Sequence, residues 1–522
     1  MNKKLKITLS LSIVAIVAIF LVFISLYWND FAITPDASGL ACGAKVLAET
    51  GEFSTYSLTG NSYEMCWRPS TYPVLQIIHA GLLKILPIQS HHLLLLTGGL
   101  AFLACVVGVW LIGWLLSKSP TIALFAGLFS ALSPALIRSL VLTPQNLFGY
   151  MLIIFCIIFA ILAITKQQHR WIAFALSPFS LLALVHDLSF GIAAIVFSSW
   201  FVLFYIKSWK IKIGLITTGI IVLVLDFTLA IFPVSIKGMI GYFINNSLPG
   251  FYHPIWDHPA IWGYLITMLA GVGLVFGLSK ITKQIKWLLL IMLLVPIILG
   301  HLPLFGIGIL PNRFIPFAWI SLAIFASFGL VELRKYLKFT PIVFVLFAVL
   351  IVGAQATHAV VFMKDDIEGW SFRYRPHDGF AEALEWLDDT NHTGRLLGVQ
   401  SATNQEILHA PLWYSGHTIY YPWYSLNHRD IQKFNVLNPS SPFSEIINQP
   451  ENPTYQRLHA MYTIIAKPKN ERNTSNIAEL GISYFIISKD SPVYKSIWST
   501  NKSEYYPVIY ENTSYVIYDL KP

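Results

Sequence analysis

The chain has 522 residues, 55% of them hydrophobic and only 12% charged, with a formal net charge of +8 and a mean hydropathy of +0.61. Soluble domains run nearer ~25% charged, so a wholly soluble protein is excluded. The basic residues sit mainly in short loops between apolar segments rather than on a face or stripe, which argues against a nucleic-acid partner and for a topology signal in a bilayer.

Apolar segments of the length needed to cross hydrocarbon begin at Ile7–Trp28, whose upstream Lys3, Lys4 and Lys6 place the N-terminus in the cytoplasm. The stretch is longer than a signal-peptide core and no small-residue cleavage site follows promptly, so it reads as an uncleaved anchor. A polar outer loop, residues 30–71, comes next. Tyr72–Leu86 is short for a crossing and contains His79 and Lys84. Counting it as a crossing would put Lys118, Lys166–Arg170, Lys207–Lys212, Lys280–Lys286 and Arg334–Lys338 outside; counting it as an interfacial helix puts them all inside, as the positive-inside rule expects. The remaining spans are Leu93–Leu116, Thr121–Ile137, Leu147–Thr165, Trp171–Val185, Leu188–Ile206, Ile213–Pro233, Ile261–Leu278, Trp287–Leu304, Phe314–Val331 and Pro341–Met363. The expectation is a mainly α, polytopic integral membrane protein with about eleven transmembrane helices. Residues 1–363 form the membrane domain, and residues 364–522 form a soluble extracytoplasmic α/β domain.

That orientation collects mixed ionisable groups on the outer face. Asp36, Glu64 and Arg68 fall in the first outer loop, Arg138, Gln145 and Asn146 at the second, His186 and Asp187 at the third, Asp257 and His258 in the fourth, and His301 and Arg313 at the fifth. Such residues beside lipid are expensive and are functional candidates. Asp36 can serve as a general base whose pKa partial burial would raise, or as an N-cap for the amphipathic stretch that follows. Arg68, Arg138 and Arg313 can bind phosphate through bidentate hydrogen bonds, or anchor helix ends to lipid headgroups. His186, Asp187, Asp257 and His258 make an additional polar site. With His253 they could hold a divalent metal, but their spacing matches no metal motif and a tight turn explains His186–Asp187 equally well. Cys42 and Cys66 share the first outer loop, an oxidising compartment in this topology. A disulfide between them would tie the stretch bearing Asp36 to that bearing Glu64 and Arg68; two free thiols are the alternative.

In the C-terminal part, Pro376–Asp389 reads as an amphipathic helix, Arg395–Val399 and Ile482–Ile487 as strands, and Pro507–Tyr510 with Tyr515–Tyr518 as a hairpin around Glu511-Asn-Thr-Ser. His409–His428 is dense in Trp and Tyr, which suits either a core or a sugar-facing surface. N-x-Ser/Thr sequons occur at Asn245, Asn391, Asn473, Asn501 and Asn512, all outward in this topology.

Three stretches carry a resemblance. Pro35-Asp36-Ala37-Ser38-Gly39, followed by Ala44-Lys45-Val46-Leu47 and Gly51-Glu52-Phe53-Ser54, is similar to the first-loop acidic motif and trailing helix of the GT-C superfamily of lipid-dependent glycosyltransferases. This group includes protein O-mannosyltransferases, lipid A aminoarabinose transferases and the catalytic subunit of oligosaccharyltransferase. Arg68-Pro69-Ser70-Thr71-Tyr72-Pro73 resembles the stretch before that superfamily's interfacial helix, and Leu310-Pro311-Asn312-Arg313-Phe314-Ile315-Pro316 its late-span entrance. The resemblance implies transfer of a sugar from a polyprenyl- or dolichyl-phosphate donor to a glycan, lipid or protein acceptor on the outer face. It implies Asp36 as the catalytic base or acceptor-orienting carboxylate, Glu64 as a partner, and Arg68 and Arg313 on the carrier phosphate; Arg138 is a further phosphate-binding candidate, and no cofactor is required beyond that donor. Many relatives carry a second acidic residue where Leu142-Thr143-Pro144-Gln145-Asn146-Leu147 has Gln and Asn; Asp187 and Asp257 are the candidates for its role. A lipid-linked glycan polymerase or ligase, a transporter or flippase, and a non-catalytic membrane scaffold are the alternatives. The transporter reading lacks the internal repeats such folds usually show.

Overall fold

The computed structural model describes residues 2–28, 35–51, 73–168, 170–206, 213, 217, 257–302, 311–374, 378–390, 392, 395–399, 419–420, 460, 463–464, 473–491, 494–499 and 506–521. Apart from Ile213 and Thr217 the expected span Ile213–Pro233 lies outside them, as do the aromatic stretch His409–His428 apart from Ile419–Tyr420, His253, and the sequons at Asn245, Asn391 and Asn501. The chain divides into two compact units, one of Met1–Trp28 with Leu95–Asp366 and one of Asn29–Leu94 with Ile367–Pro522.

The first unit is helical. It holds α1 (Lys3–Trp28), most of α4 (Ser90–Ser117), α5 (Pro120–Ala131), α6 (Pro134–Leu142), α7 (Pro144–Lys166), α8 (Arg170–Val185), α9 (Asp187–Trp200), α10 (His258–Trp262), α11 (Tyr264–Val272), α12 (Lys283–His301), α13 (Trp319–Tyr336) and the start of α14 (Pro341–Tyr374). A single turn, Pro311–Phe314, and a 3-10 turn, Ile315–Ala318, lead into α13. Among the described residues six helices are long and apolar enough to cross a membrane. Wide apolar faces on α1 (Ile16, Phe20, Phe23) and α14 (Ile342, Leu346, Val349, Leu350) are exposed, as lipid-facing helices require and water-facing ones do not tolerate.

The segment expected as one span over Thr121–Ile137 is a bent pair, α5 and α6, meeting at 47°. Pro134 opens α6 and has no N–H to offer the preceding turn, so the ladder breaks there. In a bilayer a carbonyl released by such a break needs an internal partner. Gln355 on α14 supplies it, its buried Nε2 donating to Leu132 O at 3.0 Å. The expected span Ile261–Leu278 is interrupted as well. Gly263 separates α10 from α11 with φ +100, and a Cβ there would lie 2.5 Å from Gln355 Nε2. One glutamine thus fills the notch at two helix breaks. Farther along, α11 and the π-turn Gly273–Gly277 cross α13 with backbones in contact: a Cβ on Gly273 would stand 1.9 Å from Phe325 O, and one on Gly329 2.0 Å from Leu269 O. Small residues permit this close crossing between helices.

In the second unit α2 (Pro35–Thr50) and α3 (Pro73–Leu83) pack together. A Cβ on Gly43 would meet Gln76 Nε2 at 2.7 Å, so the two helices touch at that glycine. With 11 residues α3 is too short to span hydrocarbon. The unit also contains α15 (Asp378–Asp389), α16 (Asn473–Leu480) and a five-stranded sheet ordered β2-β1-β3-β5-β4. Its strands are β1 (Arg395–Val399), β2 (Ile419–Tyr420), β3 (Ile482–Ser488), β4 (Val508–Glu511) and β5 (Tyr515–Asp519). The β2–β1–β3 part is parallel and β3–β5–β4 antiparallel. Leu397, Phe485, Ile487, Val516 and Tyr518 build a core with Ile477, Leu480 and Trp498, while Phe380 of α15 packs on Tyr515. The hairpin turn is held by Asn512, whose Oδ1 accepts from Ser514 N at 2.9 Å and Tyr515 N at 2.7 Å, and whose Nδ2 donates to Gly379 O at 2.7 Å. Two of the sequon asparagines are therefore committed to the fold: Asn512 by these bonds and Asn473 by burial at the start of α16.

Candidate functional site

Within the helical unit, contacts sort the loops into two ends. Lys3 lies over Trp114 at the end of α4, Trp200 Nε1 donates to Gln284 O at 2.8 Å, and Lys280 pairs with Glu332. These join basic ends in pairs, α1 with α4, α9 with α12, and the segment after α11 with α13. At the opposite end α7, α9, α11 and α13 begin and α12 finishes. There Trp262 Nε1 donates to Ile315 O at 2.8 Å, Tyr150 packs edge-on against Phe317 at 4.7 Å, and His258 against His301 at 5.0 Å. Arg138, Gln145, Asn146, His186, His258, His301 and Arg313, drawn from four separate outer segments of the sequence, share this end.

The best-defined part joins residues forty positions apart. His186 caps α9, its Nδ1 accepting from Ser189 N at 3.1 Å, with Ser189 Oγ 2.8 Å away. A ring whose Nδ1 accepts carries its proton on Nε2, and Nε2 is 2.7 Å from Asn146 Oδ1, which accepts it. Asn146 Nδ2 in turn donates to Thr143 Oγ1 at 3.0 Å. The chain Thr143–Asn146–His186–Ser189 fixes the imidazole in one neutral tautomer. It also sutures the start of α7 to the turn before α9, which approach so closely that a Cβ on Gly149 would lie 2.1 Å from Ser189 Oγ. Beside it Gln145, on the first turn of α7, is 1% exposed, and neither of its amide atoms has a hydrogen-bond partner among the described residues.

Arg138 stands on α6, not in a loop, because the bent pair extends the helical segment past Ile137; it is half-buried. Arg313 stands exposed on the single turn Pro311–Phe314, which packs on α12. Asp257 immediately precedes α10 and makes no side-chain cap bond. Asp36 is the second residue of α2. The side chains of Asp36, Cys42 and Asp187, and the whole of Glu64, Cys66 and Arg68, lie outside the described residues, as does the pairing of the two outer cysteines. For the metal reading, His186 is engaged by Asn146 and Ser189. Among the described residues no group of three or more His, Cys, Asp or Glu side chains is placed to hold an ion. In α3, His79 is buried and its Nδ1–H donates to Leu75 O at 2.7 Å; burial lowers its pKa against the smaller opposing effect of that bond. Sequence reasoning passed over Gln355 and Ser189, although a lone glutamine inside an apolar span was a visible signal.

No family model matches the chain, nor does any curated protein sequence. Solved structures do match. ArnT from Cupriavidus metallidurans bound to undecaprenyl phosphate superposes with a TM-score of 0.61 at 13% identity, over 97% of this chain and 97% of that one. The Archaeoglobus fulgidus oligosaccharyltransferase in its apo form gives 0.58 at 12% identity, over 92% of this chain and 69% of that one. The arabinofuranosyltransferase AftD from Mycobacteria gives 0.54 at 14% identity, over 100% of this chain and 40% of that one.

The chain shares the fold of these three proteins.

Identities this low establish the fold alone; the six long helices and their exposed apolar faces make this an integral membrane protein. In the helical unit the end bearing the Asn146–His186 suture and Arg313 lies opposite the basic loops.

Proposed function

We propose that this protein transfers a sugar from a polyprenyl- or dolichyl-phosphate carrier to an acceptor on the extracytoplasmic face of the membrane. The observation that carries the proposal is the segregation of groups in the helical unit. Basic loops occupy one end, while Arg138, Asn146, His186, His258 and Arg313 gather at the other, on a fold shared with ArnT bound to undecaprenyl phosphate. A further match, the archaeal oligosaccharyltransferase AglB with an inhibitory peptide and a dolichol-phosphate, adds a second lipid phosphate on that frame. Positive-inside logic then makes the basic end cytoplasmic, with about eleven crossings and the sheet-bearing C-terminal domain outside.

In this reading Asp36 removes the acceptor's proton with Glu64 as partner, and Arg68, Arg313 and Arg138 neutralise the charge that grows on the departing phosphate. A guanidinium that strengthens its hold as the leaving group ionises lowers the barrier rather than merely tightening binding. A Cys42–Cys66 disulfide would brace the loop bearing these groups. Membranes containing the full chain and a radiolabelled polyprenyl-phosphate sugar test the assignment. Asp36→Asn should lower sugar release by roughly 10²–10⁴-fold, the range for loss of a general base, with expression unchanged. Turnover equal to wild type removes Asp36 from the mechanism.

A further inference from the structure

The buried Gln145 amide sits on the first turn of a 23-residue helix, and no hydrogen bond among the described residues uses it. Its neighbours are all spoken for. Pro144 has no N–H, Asn146 N donates to Thr143 O at 2.8 Å, and the Asn146 side chain is consumed by His186 and Thr143. The backbone cannot shift to satisfy the amide either. Pro144 is pressed against α4, where a Cβ on Gly98 would lie 2.6 Å from Pro144 Cβ, and the next turn of α7 is pressed against Ser189. Burying an amide without partners costs free energy, and such a group in a native fold calls for an explanation.

We propose that Gln145 is the residue that hydrogen-bonds the sugar of the lipid-linked donor, a reading that rests on the transferase assignment above. Thr143, Asn146, His186 and Ser189, the side chains of the suture beside it, are uncharged or locked in a neutral tautomer, and the phosphate is left to the arginines of the same end. The suture side chains suit a neutral ligand. A carboxamide presents a donor and an acceptor side by side, the complement of neighbouring hydroxyls on a sugar ring. The suture holds the turn rigid, so the amide is oriented before the ligand arrives.

The idea makes two opposed demands on Gln145→Met, a substitution of similar shape that deletes both polar atoms. Without ligand the variant should melt at a higher temperature than wild type, because an unsatisfied buried amide has been removed. With ligand it should bind worse. Full-length protein in phosphatidylcholine nanodiscs would be titrated with undecaprenyl-phosphate mannose, glucose and aminoarabinose, and with bare undecaprenyl phosphate, reading bound lipid by native mass spectrometry. Wild type should bind at least one sugar-bearing lipid more tightly than the bare carrier. Gln145→Met should weaken that lipid about tenfold, equivalent to about 1.4 kcal/mol, and the bare carrier less than twofold. A lower melting temperature, a failure to fold, an equal loss for both lipid types, unchanged affinities, or a wild type that does not prefer any sugar-bearing lipid would each overturn the assignment. A wild type that binds no lipid phosphate at all would overturn the transferase reading with it.

Discussion

The notch shared by Leu132, Gly263 and Gln355 supports a quantitative prediction. Gln355→Leu keeps the side-chain volume but removes the bond to Leu132 O. The carbonyl it leaves behind is buried in a unit that faces lipid, where water cannot replace the donor. An orphaned buried acceptor costs about 1–3 kcal/mol, and measured interhelical bonds in membranes reach about 1.7 kcal/mol, so a loss of about 1–2 kcal/mol is expected. Gly263→Ala attacks the same notch from the other side. Its φ of +100 is one that L-residues rarely adopt, and its new Cβ would lie 2.5 Å from Gln355 Nε2. Backbone strain of that kind costs about 1–3 kcal/mol, and the displaced glutamine would release Leu132 O as well. Because both single changes break one bond, the double variant should be less damaged than their sum by about 1 kcal/mol. Reversible unfolding of purified protein, followed by tryptophan fluorescence across an SDS titration in mixed micelles, measures all four corners. Additivity within about 0.3 kcal/mol, or a neutral Gln355→Leu, would refute the claim that one amide supports both breaks.

Other predictions follow from single contacts. Gly273→Val should prevent α11 from seating on α13, since even a Cβ would stand 1.9 Å from Phe325 O; monodisperse protein recovered in gel filtration should fall sharply, whereas a normal yield would show that the crossing can open. Burial lowers the pKa of His79, so the folded state favours its neutral form. Its contribution is complete above the unfolded value of about 6.5 and is lost as pH falls from there through the folded value. Melting temperature should drop between pH 7.5 and 5, with a smaller drop in His79→Gln; identical slopes would show that His79 does not titrate with unfolding. Asn512→Ala should cost about 1–3 kcal/mol by freeing the hairpin turn and Gly379 O. In a glycosylating host, peptide mass spectrometry should find no glycan at Asn512, and full occupancy there would contradict the turn.

Much of the architecture was legible because membranes impose a length. Leu147–Thr165, Trp171–Val185 and Pro341–Met363 fall inside α7, α8 and α14, and in the second unit Arg395–Val399 is strand β1 at the same residues. The breaks were harder to read. Pro134 and Gly263 interrupt apolar stretches whose hydropathy continues across them, and the partner at both breaks is a distant glutamine. The site divides the same way. That polar groups collect at one end followed from charge and span parity, but the Asn146–His186 bond joins segments whose proximity no local pattern encodes. Gln145 and Asn146 stood out in the sequence for not being acidic. Their separate fates, one fully bonded and one unbonded, depend on how closely α4 and α9 approach α7.

The lipid-linked sugar pool of a strain lacking this protein tests the account most directly. Mass spectrometry of its lipid extract should show one polyprenyl- or dolichyl-phosphate sugar accumulating while a single extracytoplasmic glycan disappears, with wild-type protein restoring both and Asp36→Asn restoring neither. An unchanged carrier pool together with an intact set of glycans would contradict the proposed transfer reaction.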